Sequence, residues 1–314
     1  MHGGVRVRAC SSSANLGPGF DSLAIAHTAF YDEVEARLTP GRGQVVVESV
    51  YGPYAHGAGR AETARRAVEE LLRLAKRSIE GHSIVLRIYK GVPPGRGLGS
   101  SGASAAAAVK AVQILLDLKV PDSILVEAAG RGEAAAAGEP HYDNVAASLL
   151  GGLAIAALDK NGRLHVTSID VDAWMTLIIP RAEVGSAKTR FMRQVLPREM
   201  ELDRAARNWG RLALLVAAAA RGDLRTFGAM MMQDEIIEPA RSRFIPCYDV
   251  IKNAALDAGA LGVTISGAGP SMIALTETRD KALRVADSVL KNCKCCDIEE
   301  VKVARTAGPA SAIR

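Results

Sequence analysis

Residues 93–104, Pro-Pro-Gly-Arg-Gly-Leu-Gly-Ser-Ser-Gly-Ala-Ser, combine closely spaced glycines with serines just ahead of an alanine-rich segment. Gly95, Gly97 and Gly99 tolerate dihedrals that a Cβ forbids, so the chain can bend and approach a ligand closely. From Ser101 the segment is expected to be helical. Its first turn would present unpaired N–H groups and the positive end of the helix dipole at the mouth of the loop. A glycine turn feeding a helix N-terminus is a cradle for an anion, most often phosphate. The predicted cradle takes in Pro93, Pro94, Gly95, Arg96, Gly97, Leu98, Gly99, Ser100, Ser101, Gly102 and Ala103. It is not a P-loop, because no lysine ends it. Gly97, Gly99 and Gly102 do match Gly-x-Gly-x-x-Gly, yet no acid follows at the distance needed to hold a ribose. Asp122, the nearest in position, reads as a helix N-cap in Val-Pro-Asp-Ser. The plainer alternative is a flexible Gly/Ser hinge before a helix.

The elements that must hold this loop follow from periodicity. Strands are predicted at 5–9, 44–50, 83–89, 151–157 and 164–170, with helices at 61–76, 101–117 and 122–137. Beyond about residue 171 the pattern restarts. Strands at 175–179, 262–266, 272–276 and 298–304 alternate with helices at 187–196, 200–221, 223–236, 246–258 and 279–291. That second half reads as β-α-β-β-α-β, a split βαβ arrangement with extra helices after its first strand. The expected class is α+β in two domains, residues 1–170 and residues 171–314.

Composition narrows the function classes. The 314 residues are 48% hydrophobic, 23% charged and only 4% aromatic, with a net charge of +5. No apolar run approaches the roughly 18 residues of a membrane span. The first residues lack the apolar core of a secretory leader, so a cytoplasmic location is expected. Basic residues are spread out and stacking aromatics are few, which argues against nucleic acid as partner. A mildly positive field instead suits an anionic substrate. The five cysteines, Cys10, Cys247, Cys293, Cys295 and Cys296, are odd in number and argue against a disulfide framework. Cys293-Lys-Cys-Cys lacks a second ligand pair at zinc spacing and reads as a helix end with buried thiols.

Two further segments are rich in glycine and small polar residues: Ser-Ser-Ser-Ala-Asn-Leu-Gly-Pro-Gly-Phe-Asp at 11–21 and Ser-Gly-Ala-Gly-Pro-Ser at 266–271. With the loop at 93–104, this order of motifs resembles the kinase superfamily named for galactokinase, homoserine kinase, mevalonate kinase and phosphomevalonate kinase. The resemblance runs from Val5 to about Ala310. It implies an N-terminal domain like domain 2 of ribosomal protein S5, a ferredoxin-like C-terminal domain, ATP and Mg²⁺. The first motif is similar to that of the homoserine kinase branch, which implies L-homoserine as phosphoryl acceptor and a homodimer.

Residue by residue, the resemblance implies Ser101 and Glu133 as the magnesium ligands, and Ser101, Glu133 and Asn15 as the catalytic set. It places Asn15, Asp21, His141, Asn144, Ser186, Arg190, Arg241 and Gly267 around the substrate. Asp21 would meet the ammonium, and Arg190 and Arg241 the carboxylate, for which a planar guanidinium is the suited group. Read without the resemblance, Asn15 and Asp21 are turn formers, Glu133 a solvated helix acid, Arg190 and Arg241 surface arginines, and 266–271 a tight hairpin. Glu62 stands where the family often has an asparagine, which leaves the adenine contacts unassigned. The rival functions are another kinase of the superfamily acting on mevalonate or shikimate, and a non-catalytic ligand sensor.

Overall fold

The computed structural model describes residues 4–55, 59–137, 140–182, 188–294 and 296–313. The chain runs β1 (Val5–Asn15), β2 (Gly19–Pro40), β3 (Val45–Tyr51), α1 (Gly59–Leu74), β4 (His82–Lys90), α2 (Ser100–Leu115), α3 (Asp122–Ala137), α4 (Tyr142–Leu150), β5 (Leu153–Leu158) and β6 (Leu164–Ile169). It continues through β7 (Trp174–Pro180), α5 (Lys188–Gln194), α6 (Leu202–Ala220), α7 (Leu224–Met231), α8 (Ile237–Ser242) and α9 (Tyr248–Asp257). It closes with β8 (Gly262–Ile265), β9 (Met272–Thr276), α10 (Arg279–Asn292), β10 (Ile298–Arg305) and β11 (Ser311–Ile313). One sheet has the order β11-β1-β2-β4-β3, with β5 also on β2 and β6 on β5. The other, β10-β7-β9-β8, is antiparallel throughout and has the strand order of a split βαβ unit.

The 22-residue β2 had no counterpart in the sequence reading, and the reason is physical. Ala24 and Ala26 pack toward the first domain's helices, while Leu23 and Ile25 join Leu215, Phe227 and Met231 from the second half. Apolar cores on both faces erase the polar/apolar alternation that marks a half-buried strand. The nine-residue α4 and the three-residue β11 were equally unforeseen. β11 brings the C-terminal tail back to the first sheet, pairing Ser311–Ile313 with Arg6–Arg8. The helix expected at 223–236 ends at Met231, and the separate short α8 follows it.

The cysteine reading is corrected as well. Cys247, at the N-cap of α9, is bonded to Cys296, which leads into β10, with Cα atoms 6.0 Å apart. An odd count of five cysteines does not preclude a single bridge, here between residues 49 positions apart. Cys295 lies outside the described residues.

α2 owes its place to alanine. Ala103 and Ala105 to Ala108 are fully buried, and their small side chains let the helix sit close to β1, β2, α3 and α4. Beneath its first turn lies a buried ion pair, Lys90 with Asp32, both at 0% exposure. Lys90 Nζ also donates to Ser100 O at 2.8 Å, Ser100 Oγ at 3.0 Å and Ser104 Oγ at 2.7 Å. Asp32 Oδ1 accepts the N–H groups of Gly91 and Val92 at 2.9 and 3.0 Å. The pair thus ties the end of β4 to the start of α2 and sets where the glycine loop begins and ends. Removing one partner strands the other charge in the core, which costs about 3–5 kcal/mol. Lys90→Met should therefore lower the unfolding free energy in urea by about that amount, whereas a surface-like loss under about 1 kcal/mol would show that the pair does not hold the loop.

Candidate active site between the two sheets

The three glycine-rich segments meet. Ser12 N–H donates to Leu98 O at 3.2 Å, Gly267 N–H to Ala14 O at 3.0 Å, and Ser271 N–H to Arg96 O at 3.2 Å. Gly97 has φ +80°, and a Cβ there would overlap the carbonyl oxygens of Ser266 and Gly269. Only glycine allows this approach. Gly99 is the N-cap of α2 in the left-handed region, φ 66°, which turns the loop into the helix. Ala103 N–H bonds back to Gly99 O, while the N–H groups of the preceding first-turn residues have no carbonyl of their own helix to reach. No acidic residue stands in that turn to compete for an anion.

A cavity of about 220 Å³ opens on this turn. Its walls include Pro94, Gly95, Gly97, Leu98, Gly99, Ser100 and Ser101 from the loop, Asn15, Phe20 and Asp21 from the first motif, Glu133, His141, Asp143 and Asn144, and Gly267. Lys188, Arg193 and Arg241 complete it from the second half. Of the predicted cradle, Pro93, Arg96, Gly102 and Ala103 do not line the cavity. Gly102 and Ala103 are buried on the α2 face packed into the core, and Arg96 is engaged by Glu299 and by Ala182 O. The two adjacent serines divide their roles. Ser100 turns to the buried Lys90 and to Val92 O, while Ser101 Oγ donates to Glu133 Oε1.

Glu133 is 5% exposed, and its Oε2 is buried without a hydrogen-bond partner among the described residues. Burial pushes its carboxyl up to about 7, opposed by the Ser101 hydroxyl and reinforced by the charge of Asp143. Asp143, equally buried, is also raised to about 7, first by desolvation and against the N–H of Asn144 that it accepts. An orphaned carboxylate oxygen beside a hydroxyl fits a hard cation that takes few protein ligands and keeps the rest of its shell for water and phosphate, as Mg²⁺ does. No cluster of three or more His, Cys, Asp or Glu able to hold a metal exists among the described residues.

At the other end of the cavity the charges are paired across the halves of the chain. Asp21, at φ 52°, meets Arg193 with Nη2–Oδ2 at 2.7 Å and Nη1–Oδ1 at 3.4 Å. Arg241 is 4% exposed and donates to Met192 O at 3.0 Å and Gly267 O at 3.1 Å. Its helix α8 is seated by Asp234, whose carboxylate caps the N–H groups of Ile236, Ile237 and Glu238. The Phe20 ring lies 5.5 Å from the Arg193 guanidinium and 5.4 Å from that of Arg241. Burial lowers Arg241 to about 10, so it stays charged at neutral pH. Lys188 donates to Gly95 O at 3.0 Å and is pulled down to about 7 by burial and then by the neighbouring Arg241 and Arg96.

The sequence-predicted residues thus divide. Asp21, His141, Asn144, Arg241 and Gly267 converge with Ser101 and Glu133. Asn15 joins them with its amide committed, donating to Gly267 O at 3.0 Å and accepting Asp21 N–H at 3.2 Å. Arg190 does not line the cavity and is exposed on α5; the arginine one helical turn later, Arg193, takes its place. Both arginines precede Leu196-Pro197; the motif resemblance points to Arg190, whereas Arg193 is the one that lines the cavity. Ser186 lies outside the described residues. Asp143, Lys188 and Phe20 were missed, although each is adjacent to or inside a motif already singled out.

Comparison with known proteins agrees with this architecture. The model "GHMP kinases N terminal domain" matches residues 62–152 and "GHMP kinases C terminal" matches 215–295. The homoserine kinase of Aeropyrum pernix is 50% identical over 309 residues, 98% of each chain. That of Pyrobaculum neutrophilum is 43% identical, covering 89% of this chain and 91% of the relative. The crystal structure of homoserine kinase from Cytophaga hutchinsonii superposes with a TM-score of 0.87 at 33% identity, over 99% of this chain and 97% of that one. The chain belongs to the GHMP kinase family.

The raised carboxyls carry a pH signature. A carboxyl whose folded pKa lies above its unfolded value contributes stability that is complete below about pH 4 and is lost as the pH rises toward 7. Gln cannot ionise, so in chelator-treated protein Glu133→Gln should gain thermal stability relative to wild type as the pH is raised from about 5 to 8. An offset independent of pH would contradict a buried, raised Glu133.

Proposed function

We propose that the cavity transfers the γ-phosphoryl group of ATP to the side-chain hydroxyl of L-homoserine, giving O-phospho-L-homoserine and ADP, a step of threonine biosynthesis. The observation that carries this reading is the Asp21–Arg193 ion pair in the same cavity as the loop of residues 94–101. The α-carbon of an amino acid bears an ammonium and a carboxylate side by side. Such a zwitterion can exchange the one pair for two, ammonium with Asp21 and carboxylate with Arg193 and Arg241, without stranding a charge. Mevalonate has no ammonium, and a site for it gives Asp21 no partner of its own.

In this reading the free N–H groups of the α2 first turn hold the phosphates, and Lys188 adds charge beside Gly95. When bound, Mg²⁺ supplies neutralisation of the phosphate charge, and Ser101 and Glu133 would hold it. Phosphoryl transfer passes through a loose transition state, so positioning and charge matching dominate. Asp143, whose carboxyl burial raises to about 7, is the group we assign to hold the acceptor hydroxyl and, in its ionised form, to take its proton. Residues 1–170 then form the ATP-binding domain and 171–314 the domain that brings Lys188, Arg193 and Arg241, except that Ser311–Ile313 return to the first sheet. The reading also takes the protein to be a cytoplasmic homodimer.

ADP release measured across homoserine, mevalonate and shikimate should show turnover with homoserine. Asp21→Asn and Arg193→Met should each raise the KM for homoserine about 10-fold to 100-fold, the worth of one charged hydrogen bond, with little change in the KM for ATP. Preferred turnover of mevalonate, or an unchanged homoserine KM in both variants, would overturn the assignment. No turnover with any acceptor would favour a sensor.

A further inference from the structure

Helix α6 has two unlike faces, and both are apolar. Inward, Leu215, Ala218 and Ala219 join Leu16 and Leu23 in the core, and Asn208 donates to Pro18 O at 3.2 Å. Outward, Leu202, Trp209 and Leu214 stand 71%, 60% and 55% exposed, and the small residues Gly210, Ala213 and Ala217 are exposed among them. A continuous apolar face of this kind marks an interaction surface. The charges that fall on it are Asp203 near its start and Arg221 just past its end. Both are exposed, they lie about five turns apart on one line, and neither side chain has an ion pair among the described residues. The arginines along the border of the face, Arg204, Arg207 and Arg211, are all held by Glu235.

One acid and one base at opposite ends of a helix are what an antiparallel copy of the same helix complements. In a two-fold pair, residue i meets residue j and j meets i. Setting Asp203 opposite the partner's Arg221 puts the axis at the middle of α6. Leu214 then stands opposite the partner's Gly210, and Trp209 falls between the partner's Ala213 and the partner's Ala217. The register that pairs the charges therefore also seats each large side chain against small ones, as close helix packing requires. Gly210 fits the same picture. A Cβ there would meet nothing within 4 Å in its own chain, and glycine inside a helix is less stable than alanine, so the chain by itself has no use for it. A lipid surface suits the face less well, because the bordering arginines are spent on Glu235 and the first turn is acidic.

We propose that the outer face of α6 is the interface with a second copy of this chain, packed antiparallel with Asp203 on the partner's Arg221. The proposal rests on the homodimer taken above and says which surface makes it. Pro18, which Asn208 holds from the inner face, lies between Asn15 and Asp21 of the cavity wall. The interface is thus separated by one helix from the loop at the homoserine end of the site.

Sedimentation velocity of the full chain over a range of concentrations tests this. Wild type should be a dimer, and Gly210→Glu should be a monomer with an unchanged circular dichroism spectrum. Asp203→Arg and Arg221→Asp each set like charges face to face, and each should raise the dimer dissociation constant at least about tenfold. The double reversal should restore it. A monomeric wild type overturns the homodimer and this proposal together. A wild-type dimer that Gly210→Glu leaves intact keeps the homodimer and overturns this face as its interface. Dissociation by the single reversals without recovery in the double reversal overturns the antiparallel pairing.

Discussion

The backbone of Gly97 lies so close to the Ser266–Gly269 hairpin that neither side of the contact tolerates a Cβ at Gly97. Everything else in the site depends on this approach. It brings the second sheet's hairpin onto the first sheet's phosphate loop, and thereby sets the distance between the α2 N-terminus and Arg241, which itself donates to Gly267 O. On its other side the loop is anchored by Lys90 and Asp32, whose burial is tolerated because every strong donor and acceptor is matched. The loop is therefore held from below by a paired charge and from above by a neighbouring backbone, leaving its first-turn N–H groups for a ligand.

Electrostatics divide the cavity into two ends. Near α2, Glu133 and Asp143 are desolvated carboxyls raised toward neutrality, which a cation beside the phosphates would convert into useful negative charge. Farther along, Asp21, Arg193 and Arg241 make a mixed-charge clamp around the Phe20 ring. An anionic, metal-bound donor and a zwitterionic acceptor suit these ends respectively. Lys188 loses basicity chiefly through burial, and secondly through the neighbouring Arg241 and Arg96.

Much of this was legible in the sequence because glycine and small polar residues mark positions where backbones must touch. The loop at 93–104 and the hairpin are visible in residue types and motif order, whereas the association of Ser101 with Glu133 comes from the family resemblance alone, since by itself Glu133 reads as a solvated helix acid. The misses have physical causes. β2 is buried on both faces, so its periodicity is concealed. Arg190 and Arg193 are one turn apart, and only the docking of α5 shows which reaches Asp21. The Lys90–Asp32 pair joins residues far apart in sequence, and no local pattern announces a buried polar group that has found its partner. Asp143 sat inside a motif already noted, but its raised carboxyl is a consequence of burial and of neighbours contributed by folding.

The central claim is that one cavity joins a phosphate cradle to a clamp that needs both charges of an amino acid. The most direct measurement compares kcat/KM for L-homoserine with that for 4-hydroxybutanoate, which lacks the ammonium, and for 3-amino-1-propanol, which lacks the carboxylate. A site built to pair a buried charge rejects the analogue without it, so each should fall by at least about 100-fold. Comparable turnover of either analogue would contradict the clamp.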